Sequence, residues 1–305
     1  MPTPSITGAI QPALEHMQRV LFQPFSWRKW FVLGFCAFLA QLGGGGTFNY
    51  RWNQSAWHGS PVSDAVREWV LAHLPLVVFL AALLVVFMLV LTGLFLWIGS
   101  RGTFLFLEGV ARNRAEVVEP WRRFRYLGNQ LFRFRLMLTL AFLGLLGLCL
   151  ALGVFVAVSL HRSGPAGAHL IAALVGMGAV LLLGLLAFVA ASLLLKDFIV
   201  PIMYRRELGV WDAWSVFRQE LLPGRAWSFV GFYLMALLLA FPALLLALAV
   251  ICLTCCVAIL PYLSSVALLP IFVFFRAYSL CFLEQFGEDW RILESPASDP
   301  LPGPS

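Results

Sequence analysis

Long apolar runs alternate along this chain with shorter stretches in which arginines interleave with aromatic residues, and the spacing of the two kinds of run predicts the elements. A bilayer core of about 30 Å accommodates about 20 apolar residues in a helix. Runs of that kind predict spans at 30–45, 76–98, 136–159, 169–193, 228–252 and 256–275. The first is short and runs into Gly43-Gly44-Gly45-Gly46. The last two form one apolar stretch of about 50 residues, too long for one crossing at 1.5 Å per residue, so a turn is expected between Thr254 and Pro261.

Between the spans the period becomes helical and amphipathic. Residues 117–124 read VVEPWRRF and residues 210–217 read VWDAWSVF, the two aligned at a constant offset of 93. The apolar positions Val117, Trp121, Phe124, Gly128 and Leu131 are matched by Val210, Trp214, Phe217 and Leu221. Steps of four and three trace one face of an α-helix. Elbows are expected at Leu127-Gly128-Asn129-Gln130 and at Leu222-Pro223-Gly224-Arg225. The N-terminal segment reads as a third copy, with Leu14, Met17 and Leu21 on its face and an elbow at Pro24-Phe25-Ser26. Each even-numbered span ends in a cation, Arg101, Lys196 or Arg276, followed by the mostly apolar segments GTFLFLEG, DFIVPIMY and AYSLCFLE. These predict helix continuing past the hydrocarbon.

The expected fold is therefore an all-α membrane protein. Six transmembrane helices form three parallel repeats, each an interfacial amphipathic helix plus a transmembrane hairpin, around a pseudo-threefold axis along the membrane normal. Residues 1–290 form a single transmembrane domain, and the Pro- and Ser-rich tail 291–305 is expected to be disordered.

Composition agrees with lipid as the main solvent: 61% of residues are hydrophobic and 12% charged, against about one quarter charged in soluble domains. Of the 21 lysines and arginines, 18 fall on one side of the predicted spans, which places both termini in the cytoplasm by the positive-inside rule. The net charge of +6 is thus a topology signal, and no nucleic-acid partner is expected. The N-terminal residues lack a basic segment leading into an apolar one, so the first span is expected to act as its own insertion signal.

Candidate chemistry is sparse. Arg112 to Arg135 carries seven arginines among Trp121, Phe124, Tyr126, Phe132 and Phe134. Beside two spans this reads as a surface helix with aromatics at headgroup level and guanidinium groups on phosphates, or as a docking face for a cytoplasmic partner. Arg122, Arg123 and Arg125 are its candidate contacts. Arg101, Lys196 and Arg276 either converge on the axis and bind an anionic headgroup or a partner's carboxylate, or mark the inner interface; the latter is the commoner use. Asp197 and Glu284 are the acids expected to neutralise them. The histidines His16, His58, His73, His161 and His169 lack the i, i+4 spacing of a helix-borne metal site, and Cys252, Cys255 and Cys256 read as apolar packing residues. No metal, cofactor or catalytic residue is expected, and the predicted spans hold no Asp or Glu for a cation-coupled carrier. Pro242, Pro261 and Pro270 are candidate kinks in the fifth and sixth spans.

The segment FLEGVARNRAEVVEPWRRFRYLGN and its fainter echo IMYRRELGVWDAWSVFRQ resemble uncharacterised bacterial six-helix membrane proteins related to the membrane domain that precedes some glycerophosphodiester phosphodiesterases. The likeness covers about residues 10–290 and implies inner-membrane placement. The catalytic domain of those phosphodiesterases has no counterpart here, so the resemblance implies a stand-alone accessory role. The expectation is a non-enzymatic scaffold or accessory subunit whose basic face docks a protein or anionic lipid. The alternative is a transporter or lipid-handling protein that uses the space between the hairpins.

Overall fold

The computed structural model describes residues 4–23, 25–42, 68–113, 116–163, 168–253 and 261–293, and these form helices and short connections, with no strand among them. The first helix, α1 (Ile10–Phe22), is followed by α2 (Trp27–Leu42) and α3 (Leu74–Ala111). A short α4 (Val118–Arg123) precedes α5 (Arg125–Ser163). Next come α6 (Ala168–Leu194), a π turn (Leu195–Ile199) and α7 (Val200–Arg206) in unbroken succession. The chain closes with α8 (Val210–Val216) and a second π turn (Phe217–Leu221), then α9 (Ala226–Leu253), α10 (Pro261–Ala267) and α11 (Leu269–Glu284).

Among the described residues, four helical stretches are long and apolar enough to cross a membrane: Leu74–Ala111, Arg125–Val156, Ala172–Arg206 and Ala226–Cys252. Their outer parts are covered by almost nothing in the chain. On α3, Phe79, Val85, Phe87 and Val90 are each more than half exposed, as are Val154, Phe155 and Leu183 on α5 and α6, and Leu237 and Leu244 on α9. Contiguous apolar surface on this scale needs an apolar solvent. The expected first and sixth spans correspond to α2, which at 16 residues is about 24 Å long, and to α10 with α11, which break at Leu268 two residues before Pro270. The glycine run, the loop after it and the turn expected after Thr254 lie outside the described residues. Pro242 is carried inside α9.

At the other end the same helices become solid protein. With 38 residues α3 is about 57 Å long, well beyond one hydrocarbon layer, and its last stretch, Gly99 to Ala111, is buried at every position. Leu195, Phe198–Met203 and Arg276–Leu283 are buried in the same way. These three inner arms pack pairwise against one another. Phe198 is the centre of an aromatic cluster, with the rings of Phe217, Phe229, Phe232 and Phe282 between 4.9 and 6.1 Å away. Phe232 stacks on Tyr278 at 4.8 Å.

The amphipathic segments close over this core. Along α8 and its π turn, Val210, Ala213, Phe217 and Leu221 face inward, in the period read from the sequence. Around α4 and α5, Phe124, Leu127 and Leu131 do the same. Two details differ from expectation. The elbow expected at Leu127–Gln130 lies earlier, at Phe124, and α5 runs straight from Arg125, because Leu127 and Leu131 need helical register to reach the core together. In this first segment Ala9, Ala13, His16, Val20 and Leu21 are buried, so of the expected face Leu21 packs inward, whereas Leu14 is 43% exposed. Alanine at Ala9 and Ala13 lets α1 lie close along α11, which a leucine at that face would prevent. The second elbow, around Gly224 at φ +70°, stands where it was expected.

Small residues set the helix spacing. A Cβ on Gly102 would meet the Leu39 carbonyl carbon at 2.6 Å and the Ala40 nitrogen at 2.7 Å, so α2 and α3 touch backbone to backbone there. Gly102→Ala is expected to lower stability by about 1–3 kcal/mol in a detergent melting experiment, because rigid backbone must move. Gly93→Ala, with nothing within 4 Å, should leave the melting temperature unchanged. Equal melting of the two variants would refute the close approach.

Candidate functional site

Basic residues gather around the inner core at two depths. On the outside, burial of Phe124 and Leu127 turns Arg122 and Arg125 outward, and both are exposed. Arg123 is exposed too, but it lies 3.4 Å from the Glu207 carboxylate and 3.9 Å from that of Glu108, which also holds Arg112 at 3.2 Å. Arg206 makes a two-pronged contact with Glu220 at 2.9 and 2.8 Å, while its guanidinium covers the Trp290 ring at 4.4 Å. Surface pairs of this kind contribute about 0–1 kcal/mol each and serve more to orient charge than to hold the fold.

Deeper, the three cations Arg101, Lys196 and Arg276, expected at the ends of even-numbered spans, meet different fates. Arg101 lies between Trp97 and Trp121, with its guanidinium carbon 4.3 and 5.2 Å from the two ring centres, and donates to Asn129 Oδ1 at 3.1 Å. Gly128 makes room for it: a Cβ there would fall 2.7 Å from Arg101 Cγ. Arg276 is buried in α11 and donates from Nη1 to the Lys196 carbonyl at 2.7 Å. The Lys196 side chain itself is exposed, so its backbone, not its ammonium, meets Arg276. A lysine can carry its charge to the edge of the packed core on its long stem. The buried cation that stands near Arg276 is Arg135, which donates from Nη2 to Thr103 Oγ1 at 3.4 Å.

Arg135 was not among the sequence candidates, although the signal was present. It follows Phe124, Gly128 and Leu131 at helical steps on the apolar face, where an arginine has no other reason to stand. Asp197 lies in the π turn beside Arg276, Lys196 and the Tyr233 hydroxyl. π turns are uncommon and recur at functional positions in helices. Glu284 does not pair with Arg276. Its Oε1 accepts the backbone N–H groups of Leu293 at 3.0 Å and Ile292 at 3.3 Å, so ordered packing extends to Leu293. Burial nevertheless pushes this carboxyl above the ordinary carboxylate range.

Chemically, guanidinium groups are suited to meeting anions and not to proton transfer, since they keep their proton at any physiological pH. Among the described residues no three histidine, cysteine or acidic side chains come together. Cys252 is exposed; Cys255, Cys256 and His58 lie outside the described residues, as do the side chains of His161 and His169. Gln41 Nε2 donates to Ser265 Oγ at 3.3 Å, so that serine joins α2 to α10.

A helical protein with four helices of membrane-crossing length and composition, solid at one end and ringed there by arginines, is the class these features define. Residues 5–246 match the Family of unknown function (DUF7544), and the chain belongs to that family. No curated protein and no solved structure matches it.

His16 couples the surface helix to the core in a pH-sensitive way. It is 7% exposed, and since a carbonyl only accepts, its Nε2 must carry the proton donated to the Val110 oxygen at 2.8 Å. Burial holds its pKa below 6.5, with Arg19 and Lys29 adding to the effect and the Val110 bond opposing it. With the folded value depressed, the detached or unfolded state binds the proton first, so stability is lost as pH falls below 6.5. The protection of the α1 amides against hydrogen exchange, corrected for the intrinsic rate at each pH, is expected to fall between pH 7.5 and pH 5.5 in the native protein and to stay constant in His16→Gln. Persistence of the effect in the variant would exclude His16 as its source.

Proposed function

We propose that the chain is a non-enzymatic inner-membrane scaffold or accessory subunit that docks a partner protein and anionic lipid on its basic cytoplasmic face. The observation that carries this reading is the contrast between a sealed inner core and its charged rim. Phe104, Leu107, Ile202, Met203, Tyr278 and Phe282 fill the centre where the three arms meet, which supports a rigid platform over a moving carrier. Arg28, Arg122, Arg125, Arg205 and Arg218 are exposed around it. Exposed cations near anionic lipid contribute on the order of 1 kcal/mol each. Trp27, Trp211 and Trp227, all more than 60% exposed, are suited to the headgroup layer beside them.

In the same reading the chain crosses six times as three parallel units, with both termini in the cytoplasm, and keeps the kinship with the phosphodiesterase-associated membrane domain. Two observations support the repeat. The first two arms end in left-handed residues, Asn113 at φ 55° and Glu207 at φ 52°, although neither is glycine. Each of those residues takes a cation from 84 positions earlier in the chain, Lys29 reaching Asn113 Oδ1 and Arg123 reaching Glu207. Reporters active only in the cytoplasm, fused at either end, are expected to be active at both; silence at one end would overturn the six-span topology.

Docking is tested by native extraction and co-purification. Replacing Arg122, Arg123 and Arg125 with Glu should abolish recovery of the partner. Arg122→Glu with Arg125→Glu, which spares the Arg123 ion pairs, should weaken it without loss of fold. Recovery of no partner from the native protein would sink the scaffold reading. A lipid-handling role is the second reading, favoured by the buried Arg276 beside Asp197; lipid transfer or uptake by the pure protein in proteoliposomes would select it.

A further inference from the structure

Arg135 and Arg276 are 8% and 5% exposed, and the charge of Arg276 acts on Arg135. One nitrogen of each is satisfied, by Thr103 and by the Lys196 carbonyl. Nη1 of Arg135 and both Nε and Nη2 of Arg276 are buried without a hydrogen-bond partner. The Nε and Nη2 hydrogens of a guanidinium point the same way along one edge, spaced to meet two oxygens of a single oxyanion. By holding Nη1, the Lys196 carbonyl fixes the direction in which that edge faces. Asp197 is the one acid whose charge acts on Arg276, and no hydrogen bond or ion pair among the described residues joins it to either arginine. The two guanidinium charges therefore exceed the one carboxylate, in a place where water does not reach the donors.

Charge left uncompensated in a packed core is strongly unfavourable, and a donor without an acceptor adds to the penalty. An anion with oxygens pointing in several directions removes both at once. A carboxylate can fill the Arg276 edge, but its two oxygens are then spent; a phosphate keeps another for Arg135 Nη1. We propose that Arg135 and Arg276 clamp a phosphate group at the inner end of the bundle, between α3, α5 and α11. The phosphate belongs either to an anionic phospholipid headgroup or to free inorganic phosphate. Because the donors are shielded from solvent, the ligand is a built-in part of the core that exchanges slowly and survives purification. The proposal stands apart from the docking reading, since neither arginine belongs to the exposed rim.

The full-length protein is purified in a phosphorus-free detergent, its bound phosphorus is measured, and the ligand is identified by native mass spectrometry. The native chain should retain phosphorus in stoichiometric amount, and the mass decides the source: a phospholipid identifies a headgroup, and phosphate alone identifies the free ion. After stripping, inorganic phosphate or phosphatidylglycerol micelles should raise the melting temperature saturably. Arg135→Lys with Arg276→Lys keeps the charge but removes the donor edge and should weaken that binding about ten- to hundredfold. The variant Gly93→Ala, at a position with nothing within 4 Å, should bind as the native chain does. The proposal is overturned if the native chain holds no stoichiometric phosphorus and the stripped protein responds to neither probe, or if the double lysine variant binds as tightly as the native chain. It also fails if Arg276→Met melts higher than the phosphate-saturated native protein, which would make the charge a burden with no ligand.

Discussion

Three helical arms that leave the apolar layer and bury one another set the terms for every other element. Gly99–Ala111 is buried at every position, so each side of that stretch is covered by protein: by α2 where Gly102 admits the Leu39 backbone, by the junction of α4 and α5 through Phe124 and Leu131, and by the other two arms. The surface helices are lids over this arrangement. Their apolar stripes are short, and they stay in place because the core beneath them is already packed.

The outer parts of the same helices obey a different rule. In lipid an apolar side chain gains little by touching another helix, so α3 and α9 leave most of their outer surface to the bilayer, and contact is confined to points such as the Phe142–Phe188 stack at 4.9 Å. The chain therefore has two solvents and one dense joint between them. The arginines stand at that joint, where guanidinium can lie against indole, as Arg101 does, or against backbone carbonyl, as Arg276 does.

Much of this was legible in the residues. The runs around Val85, Leu146, Leu182 and Leu246 announced helices of crossing length. The steps Val210, Trp214, Phe217 and Leu221 announced a helix lying on something apolar, and the segments after Arg101 and Lys196 announced helix that outlasts the membrane. Leu14 misled because hydrophobicity alone does not identify the face that packs: α1 lies so close to α11 that alanine serves it better than leucine. Lys196 is exposed because a flexible stem carries its charge out of a helix whose backbone is otherwise buried.

By itself the sequence determined where the chain is apolar, which stretches are amphipathic and where the cations fall, because each follows from the order of residues along one helix. Only the tertiary structure decided which cations are buried and which partners they meet. Arg135 stands near Arg276 although 141 positions separate them in the chain, and no periodicity within a single helix carries that information. Long-range packing brings α3, α5 and α11 together, and the same packing hides four guanidinium nitrogens, on Arg101, Arg135 and Arg276, from water while giving them no hydrogen-bond partner.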